Sequence, residues 1–319
     1  MKIVLVTGVA GFIGFHVAEA LLKRGDKVVG VDNLNDYYPV EYKENNITDL
    51  MKYPEFIFVK ADITDADGIT QVFDEHKITH VAHLAARAGV RPSLKDPLLY
   101  EKVNVKGTLN LLECARIHKV KNFVLTSSSS VYGNSKTVPF KEDDGATDKP
   151  ISPYAATKKA SEVLGYTYHH LYGLNVNVIR PFTVYGPRGR PDMAPWLFVK
   201  AAVKGNSIKK YGDGTTKRDY TFIGDFVPGF ITALDKELGY EIFNLGNSKV
   251  ISLNEFIAIV EKISGKKLQV EEESLQLGDV NITYADISKA KEMLGYNPTT
   301  SFEQGMKIFY DWYVENVVD

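Results

Sequence analysis

Tyr154 and Lys158 occur in Ser152-Pro153-Tyr154-Ala155-Ala156-Thr157-Lys158. Ser152 reads as a helix N-cap and Pro153 as a first-turn residue, so the tyrosine and lysine fall on one helix face. A free tyrosine titrates near pH ~10. An ammonium beside it stabilises the phenolate, which can then take a hydroxyl proton near neutral pH. A second polar cluster is Thr126-Ser127-Ser128-Ser129-Ser130-Val131-Tyr132-Gly133. Consecutive serines are poor core material, and their hydroxyls can bond a polar substrate. A third cluster, Thr7-Gly8-Val9-Ala10-Gly11-Phe12-Ile13-Gly14, has the spacing GxxGxxG.

Those glycines follow a β-branched run and open a helical pattern. Such a turn lets the backbone approach a pyrophosphate, and the helix N-terminus offers free N–H donors. Gly8, Gly11, Phe12, Ile13 and Gly14 are therefore candidate dinucleotide-binding residues. The next strand-like run ends in Asp32, whose carboxylate suits ribose hydroxyls and repels a 2′-phosphate. Asn33-Leu34-Asn35 follows with no arginine to receive that phosphate, so NAD is expected over NADP, with Asn33 and Asn35 beside it. Asp62-Ile63 and Leu84-Ala85-Ala86 close two further runs and are expected at the adenine and along the cofactor.

These pieces need a scaffold that gathers strand ends. Strand-like runs at 2–7, 27–32, 56–62, 80–85, 122–128 and 175–182 alternate with helical patterns. That alternation predicts an α/β fold, a Rossmann-type doubly wound parallel sheet with helices on both faces. After Pro187 the chain turns repeatedly at Pro187, Gly189, Pro191 and Pro195, and shorter extended pieces follow at 208–211, 241–245 and 268–271. We expect a NAD-binding domain over 1–186, with 221–250 contributing to it because 241–246 reads as one more buried strand. Residues 187–220 and 251–319 would form a smaller C-terminal α/β substrate region. The charged stretch 141–150 reads as a surface loop.

Composition narrows the class. A net charge of −2 gives no reason to expect nucleic acid or an anionic membrane as partner. A single cysteine, Cys114, excludes an intrachain disulfide, and with no Cys/His cluster a metal-free cytoplasmic enzyme is expected. No apolar run reaches the roughly 18 residues of a membrane span. Met1-Lys2 runs directly into the first strand, so a cleaved leader is not expected.

Together the motifs resemble the extended short-chain dehydrogenase/reductases, and within them the NAD-dependent nucleotide-sugar epimerases, over essentially the whole chain. The resemblance rests on Gly8–Gly14, Ser127–Gly133, Tyr154 with Lys158, Arg218-Asp219-Tyr220 and Gly278-Asp279-Val280. It implies that Ser128, Tyr154 and Lys158 are catalytic and that Asn104 supports the cofactor. It also implies that Thr183, Arg218 and Asp279 hold a nucleotide diphosphate-sugar, with Tyr211 near a uracil. Dehydratases of this family carry an Asp-Glu pair just after the catalytic hydroxyl, and decarboxylases commonly a Glu. Ser129-Ser130 stands there instead, which implies reversible oxidation alone.

The stretch from Arg180 to Ala194, Ala86–Arg91 and Leu275–Val280 are similar to the UDP-glucuronate 4-epimerase subgroup. That likeness implies C4 epimerisation of a UDP-sugar, UDP-glucuronate to UDP-galacturonate, with Ser128, Ser129, Thr183 and Arg190 meeting the C6 carboxylate and Gln276 nearby. The alternatives are a UDP-glucose/galactose 4-epimerase, a UDP-glucuronate decarboxylase, and a non-catalytic NAD-sensing protein. Helices around 97–118 and 153–172 resemble those of a four-helix dimer interface, implying a homodimer.

Overall fold

Apolar β-branched runs cannot leave a sheet face in water, and here both faces of the central strands are covered. The computed structural model describes residues 1–274 and 280–317. Its strands are β1 (Ile3–Thr7), β2 (Lys27–Asp32), β3 (Phe56–Lys60), β4 (His80–His83), β5 (Asn122–Thr126) and β6 (Val176–Pro181), then β7 (Thr183–Tyr185), β8 (Ser207–Tyr211), β9 (Lys217–Phe222), β10 (Tyr240–Leu245), β11 (Val250–Ser252) and β12 (Gln269–Glu273). Seven form one sheet in the order β10-β6-β5-β4-β1-β2-β3. Every pairing in it is parallel. This is the expected Rossmann-type sheet, and the 241–246 run joins it beside β6. Two small sheets, β11-β9-β7 and β12-β8, come from the C-terminal half.

Two apolar clusters lie on the main sheet. One gathers Phe15, Leu21, Phe226, Phe230 and Phe243; the other gathers Val72, Phe73, Leu111, Leu112 and Phe123. A third, with Trp196, Phe198, Phe256, Phe302 and Phe309, sits under the small sheets. The Phe302–Asn316 and Leu253–Ser264 helices that cover it both start with a capping box, from Ser301/Gln304 and Ser252/Glu255.

Several strands end sooner than expected. β3 stops at Lys60, β4 at His83 and β5 at Thr126, rather than at 62, 85 and 128. The lost residues leave the ladder for local partners. Leu84 and Ala85 both donate backbone N–H to Thr7 Oγ1 at 3.2 Å. Asp62 accepts from the Thr64 N–H at 2.8 Å. Ser128 caps a 3₁₀ turn over Ser129–Tyr132. The 141–150 stretch is also more than a surface loop, because Glu142 accepts the Asn244 N–H at 2.8 Å and offers its carbonyl to Arg180 at 2.9 Å.

Between the Pro97–Tyr100 and Gly107–Ile117 helices the chain is π-helical, over Glu101–Lys106. The wider turn leaves the Asn104 carbonyl to accept from the hydroxyls of Thr108 (2.5 Å) and Ser161 (2.9 Å).

Phe230 has no exposed surface and fills the core beneath the sheet. Phe230→Ala should cost about 3–5 kcal/mol. The measurement is the urea midpoint, which should fall at unchanged slope.

Candidate active site

Parallel strands point their carboxyl ends one way, and the cleft opens at that edge. Gly8 begins the β1 turn at φ +70° and donates to the Val31 carbonyl at 2.8 Å. A Cβ at Gly8 would lie 2.7 Å from the Ala85 nitrogen, and one at Gly14 only 2.1 Å from the Gly8 carbonyl oxygen. The turn therefore takes no larger residue at either position. The Phe12–Lys23 helix then starts with neither a side-chain cap nor an acidic residue in its first turn. Its first N–H groups are left for an anion.

Asp32 ends β2 almost fully buried. It accepts the Leu34 N–H at 2.9 Å and the Ala10 N–H at 3.2 Å. Burial pushes its carboxyl up, opposed by the Leu34 N–H and the Lys43 charge. Asn33 donates to Asp62 at 2.8 Å, while Asn35 donates to Asn33 at 2.7 Å and accepts from Lys43 Nζ at 3.2 Å. Gly8, Gly11, Phe12, Ile13, Gly14, Asp32, Asn33, Asn35, Asp62, Ile63, Leu84, Ala85 and Ala86 all line one cleft with Tyr154, Lys158 and Arg190. Asn104 stands behind its wall. Its side chain accepts the Arg87 N–H at 2.8 Å and donates to Thr157 at 3.0 Å, tying the β4 loop to the helix that carries Tyr154.

That helix spans Pro153–Tyr172, and Ser152 caps it as expected. Tyr154 is half-buried, with Tyr100 edge-on at 6.1 Å. Burial raises its pKa, while a hydrogen bond with Ser128 and the Arg190 charge pull it down. Lys158 is buried and donates to the Thr126 carbonyl at 2.7 Å. Burial lowers its pKa to about 8, with Glu162 working against the fall. His83 sits between Thr7 (2.8 Å) and Thr108 (3.0 Å) and is kept neutral by burial, its pKa lowered to about 3.

The remaining expected residues sit apart. Thr183 on β7 and Arg218 on β9 belong to the β11-β9-β7 sheet, whose register pairs Thr183 with Tyr220. Asp219 anchors that sheet by accepting the N–H groups of Asn247, Ser248 and Ala285 at 2.7, 3.0 and 3.1 Å. Tyr211 ends β8 with the Arg91 guanidinium 4.7 Å over its ring. Ser129 begins the turn after Ser128. Arg190 reaches the cleft beside Tyr37 but is held in a bidentate pair with Asp192, at 3.0 and 2.6 Å. Gln276 and Asp279 lie outside the described residues.

Sequence reasoning gave no role to Tyr37, Tyr38, Lys43 or Arg87, which line the cleft together with Thr126 of the hydroxyl cluster. Lys43 is buried, donating to the Asn35 carbonyl at 2.6 Å, although a helix lysine ordinarily faces water. A dinucleotide fits this cleft on two observations. The helix that follows the glycine turn starts uncapped with no acidic residue in its first turn, and the buried Thr126 Oγ1 at the cleft wall finds no hydrogen-bond partner among the described residues. Among the described residues no cluster of His, Cys, Asp and Glu could hold a metal ion, and no helix is long and apolar enough to cross a membrane.

The sequence model of a family described as GDP-mannose 4,6 dehydratase matches residues 5–309. The chain belongs to that family. Its extended short-chain dehydrogenase/reductase architecture recurs in a Bacillus cereus UDP-glucuronic acid 4-epimerase solved with UDP-glucuronic acid and NAD. That structure is 38% identical, with a TM-score of 0.93 over 99% of both chains. A UDP-glucose 4-epimerase from Thermotoga maritima, solved with UDP-glucose, is 32% identical, with a TM-score of 0.90 over 100% of both chains. A UDP-glucuronate 4-epimerase of Thermodesulfobacterium geofontis is 51% identical over 314 residues, 98% of this chain and 96% of that one.

Asp32→Ala removes the acceptor expected to meet the adenosine ribose. It should weaken NAD by about 1.5–3 kcal/mol and narrow the preference over NADP. Titration calorimetry on stripped protein checks both, and tighter NADP than NAD binding by the wild type would contradict this reading of Asp32.

Proposed function

We propose that this member of the GDP-mannose 4,6 dehydratase family is a UDP-glucuronate 4-epimerase that interconverts UDP-glucuronate and UDP-galacturonate with NAD, as a homodimer. The observation that carries the reading is one cleft that Tyr154 and buried Lys158 line from the same helix, beside the Ser128 turn and facing a glycine-floored dinucleotide site. When bound, NAD supplies a reversible electron acceptor for the sugar C4 and a positive ring that favours the phenolate. Gly8, Gly11, Gly14 and the helix start would hold its pyrophosphate, and Asp32 its ribose.

Tyr154 takes the 4-hydroxyl proton and later returns it. Ser128 holds the sugar oxygen beside the phenol. Lys158 keeps positive charge under the pair, and the Thr126 carbonyl fixes where that charge sits. Arg218 anchors the nucleotide diphosphate, so the 4-keto sugar can turn over while its tether stays in place. A 4-keto uronic acid is a β-keto acid, and it loses carbon dioxide when its C5–C6 bond stands perpendicular to the ketone plane. Hydroxyls from Ser128, Ser129 and Thr183 hold the carboxylate near that plane and supply no acid. Arg190 gives the fixed positive charge, and the incoming carboxylate competes with Asp192 for its guanidinium.

A neutral-sugar epimerase is the second reading, favoured by the likeness to the UDP-glucose enzyme. The higher identity to UDP-glucuronate enzymes supports the first. Side-by-side turnover of UDP-glucuronate and UDP-glucose, resolved by chromatography, separates them; equal or better efficiency on UDP-glucose overturns the uronic acid assignment. The dimer would bury exposed Leu98, Val163, Leu171 and Tyr172, which lie on the Pro97–Tyr100 and Pro153–Tyr172 helices. Sedimentation of the wild type tests it.

Tyr154→Phe deletes only the phenolic oxygen. Turnover should drop at least a hundredfold, since positioned acid–base catalysis is worth about 10²–10⁴, with NAD content unchanged. A variant keeping more than a few per cent of the rate assigns the proton to another group.

A further inference from the structure

The Pro153–Tyr172 helix carries a third polar group on the face that holds Tyr154 and Lys158, at the next i+4 position. This is Glu162, only 1% exposed. Its Oε1 accepts from Ser127 Oγ at 2.5 Å and from Arg180 Nε at 2.9 Å, and its Oε2 accepts from Arg180 Nη2 at 2.8 Å. Arg180, on β6, has no exposed surface, and its Nη1 donates to the Tyr132 hydroxyl at 2.9 Å. The Tyr132 hydroxyl in turn donates to Asn244 Oδ1 on β10 at 2.7 Å.

The circuit brackets the serine turn. Ser127 stands just before Ser128, and Tyr132 ends the 3₁₀ turn that Ser128 caps. The same helix therefore grips the end of β5 and the residue after it, through Lys158 on the Thr126 carbonyl and Glu162 on the Ser127 hydroxyl. We propose that Glu162 is a positioning residue for the reaction, setting the Ser128 turn through Ser127 and placing its carboxylate one helical turn from the Lys158 ammonium. This rests on the proposed tyrosine-based oxidation and adds a residue that touches neither substrate nor cofactor.

The charges around Lys158 fix the sign of the effect. Glu162 acts on it from its own helix, Tyr154 lines the same cleft, and His83, neutral, faces it from β4. Glu162 is itself faced by Arg180 from β6 and by Lys159 at 3.6 Å, and Tyr240 from β10 donates to its carbonyl. Burial lowers the Lys158 pKa and Glu162 raises it, so removing the carboxylate lets it fall further. Activity needs the ammonium, so the basic limb of the pH profile moves to lower pH.

The test is kcat/KM against pH for the NAD-loaded wild type, Glu162→Asp, Glu162→Gln and the double variant Glu162→Gln/Arg180→Met. The double variant leaves no unpaired buried charge. The basic limb should fall by about one pH unit in Glu162→Gln, fall less in the double variant, which also loses the Arg180 cation, and stay near the wild-type position in Glu162→Asp, which keeps the charge. A uniform loss of rate with all limbs coincident overturns the proposal and leaves Glu162 a packing residue. The wild-type profile is measured first on both UDP-glucuronate and UDP-glucose. A wild type that turns over only UDP-glucose overturns the uronic acid assignment, and the limb comparison then proceeds on that sugar.

Discussion

Strand direction is the constraint on which the rest of the molecule depends. A parallel pair cannot be closed by a hairpin, so each strand must be followed by a crossover that returns the chain to the same starting edge. All seven carboxyl ends then gather along the opposite edge. The glycine turn, Asp32, the Leu84–Ala86 loop and the Ser128 turn each stand at or just beyond one of those ends. Residues far apart in sequence thus meet with no contact selected for that purpose. The shortened strands belong to the same logic, because a residue released from the ladder has a backbone free to bend toward a ligand.

Gathering polar groups in a dry place has a cost. Arg180 and Glu162 are both removed from water, and such a pair is weak evidence for stability even when its geometry is bidentate. Its local worth is geometric. A fork-to-fork pair fixes two planes at once, and here it links β6 to the helix beside β5. An apolar pair of equal volume would fill the space and leave Ser127 without its acceptor.

The fold is legible in the sequence because its signals are periodic. Runs such as Ile3-Val4-Leu5-Val6 alternate with helical patterns, and the seventh strand is visible as Tyr240–Leu245 despite arriving after the smaller sheets have begun. The site is legible where one residue type has one physical use. Gly8 and Gly14 can be nothing else, and Ser152, Pro153, Tyr154 and Lys158 announce a capped helix with a marked face. The residues that escape are those whose types have several uses. Lys43 reads as a solvated helix charge until the fold turns it onto Asn35. Glu142 reads as loop until Asn244 and Arg180 reach it. Likeness alone assigns Asn104 to the cofactor, whereas its side chain fastens the loop and helix that form the cofactor's wall. Glu162 is present at the right spacing, but only the structure brings Ser127 and Arg180 to it.

The π-helical stretch at Glu101–Lys106 has a consequence for how one rod can serve two neighbours. Widening a turn inserts a residue into the ladder, and one residue is about 100° of rotation about the axis. Up to the middle of the wide stretch the side that matters is Leu99, Lys102 and Val103, which look into the cleft. After it the side that matters is Leu111, Leu112 and Ala115, which pack under the sheet. A regular helix would carry a single stripe along its length and satisfy one of these at the expense of the other. Deleting one residue from this stretch would therefore wind every later side chain off its neighbour while leaving the backbone a better helix than before.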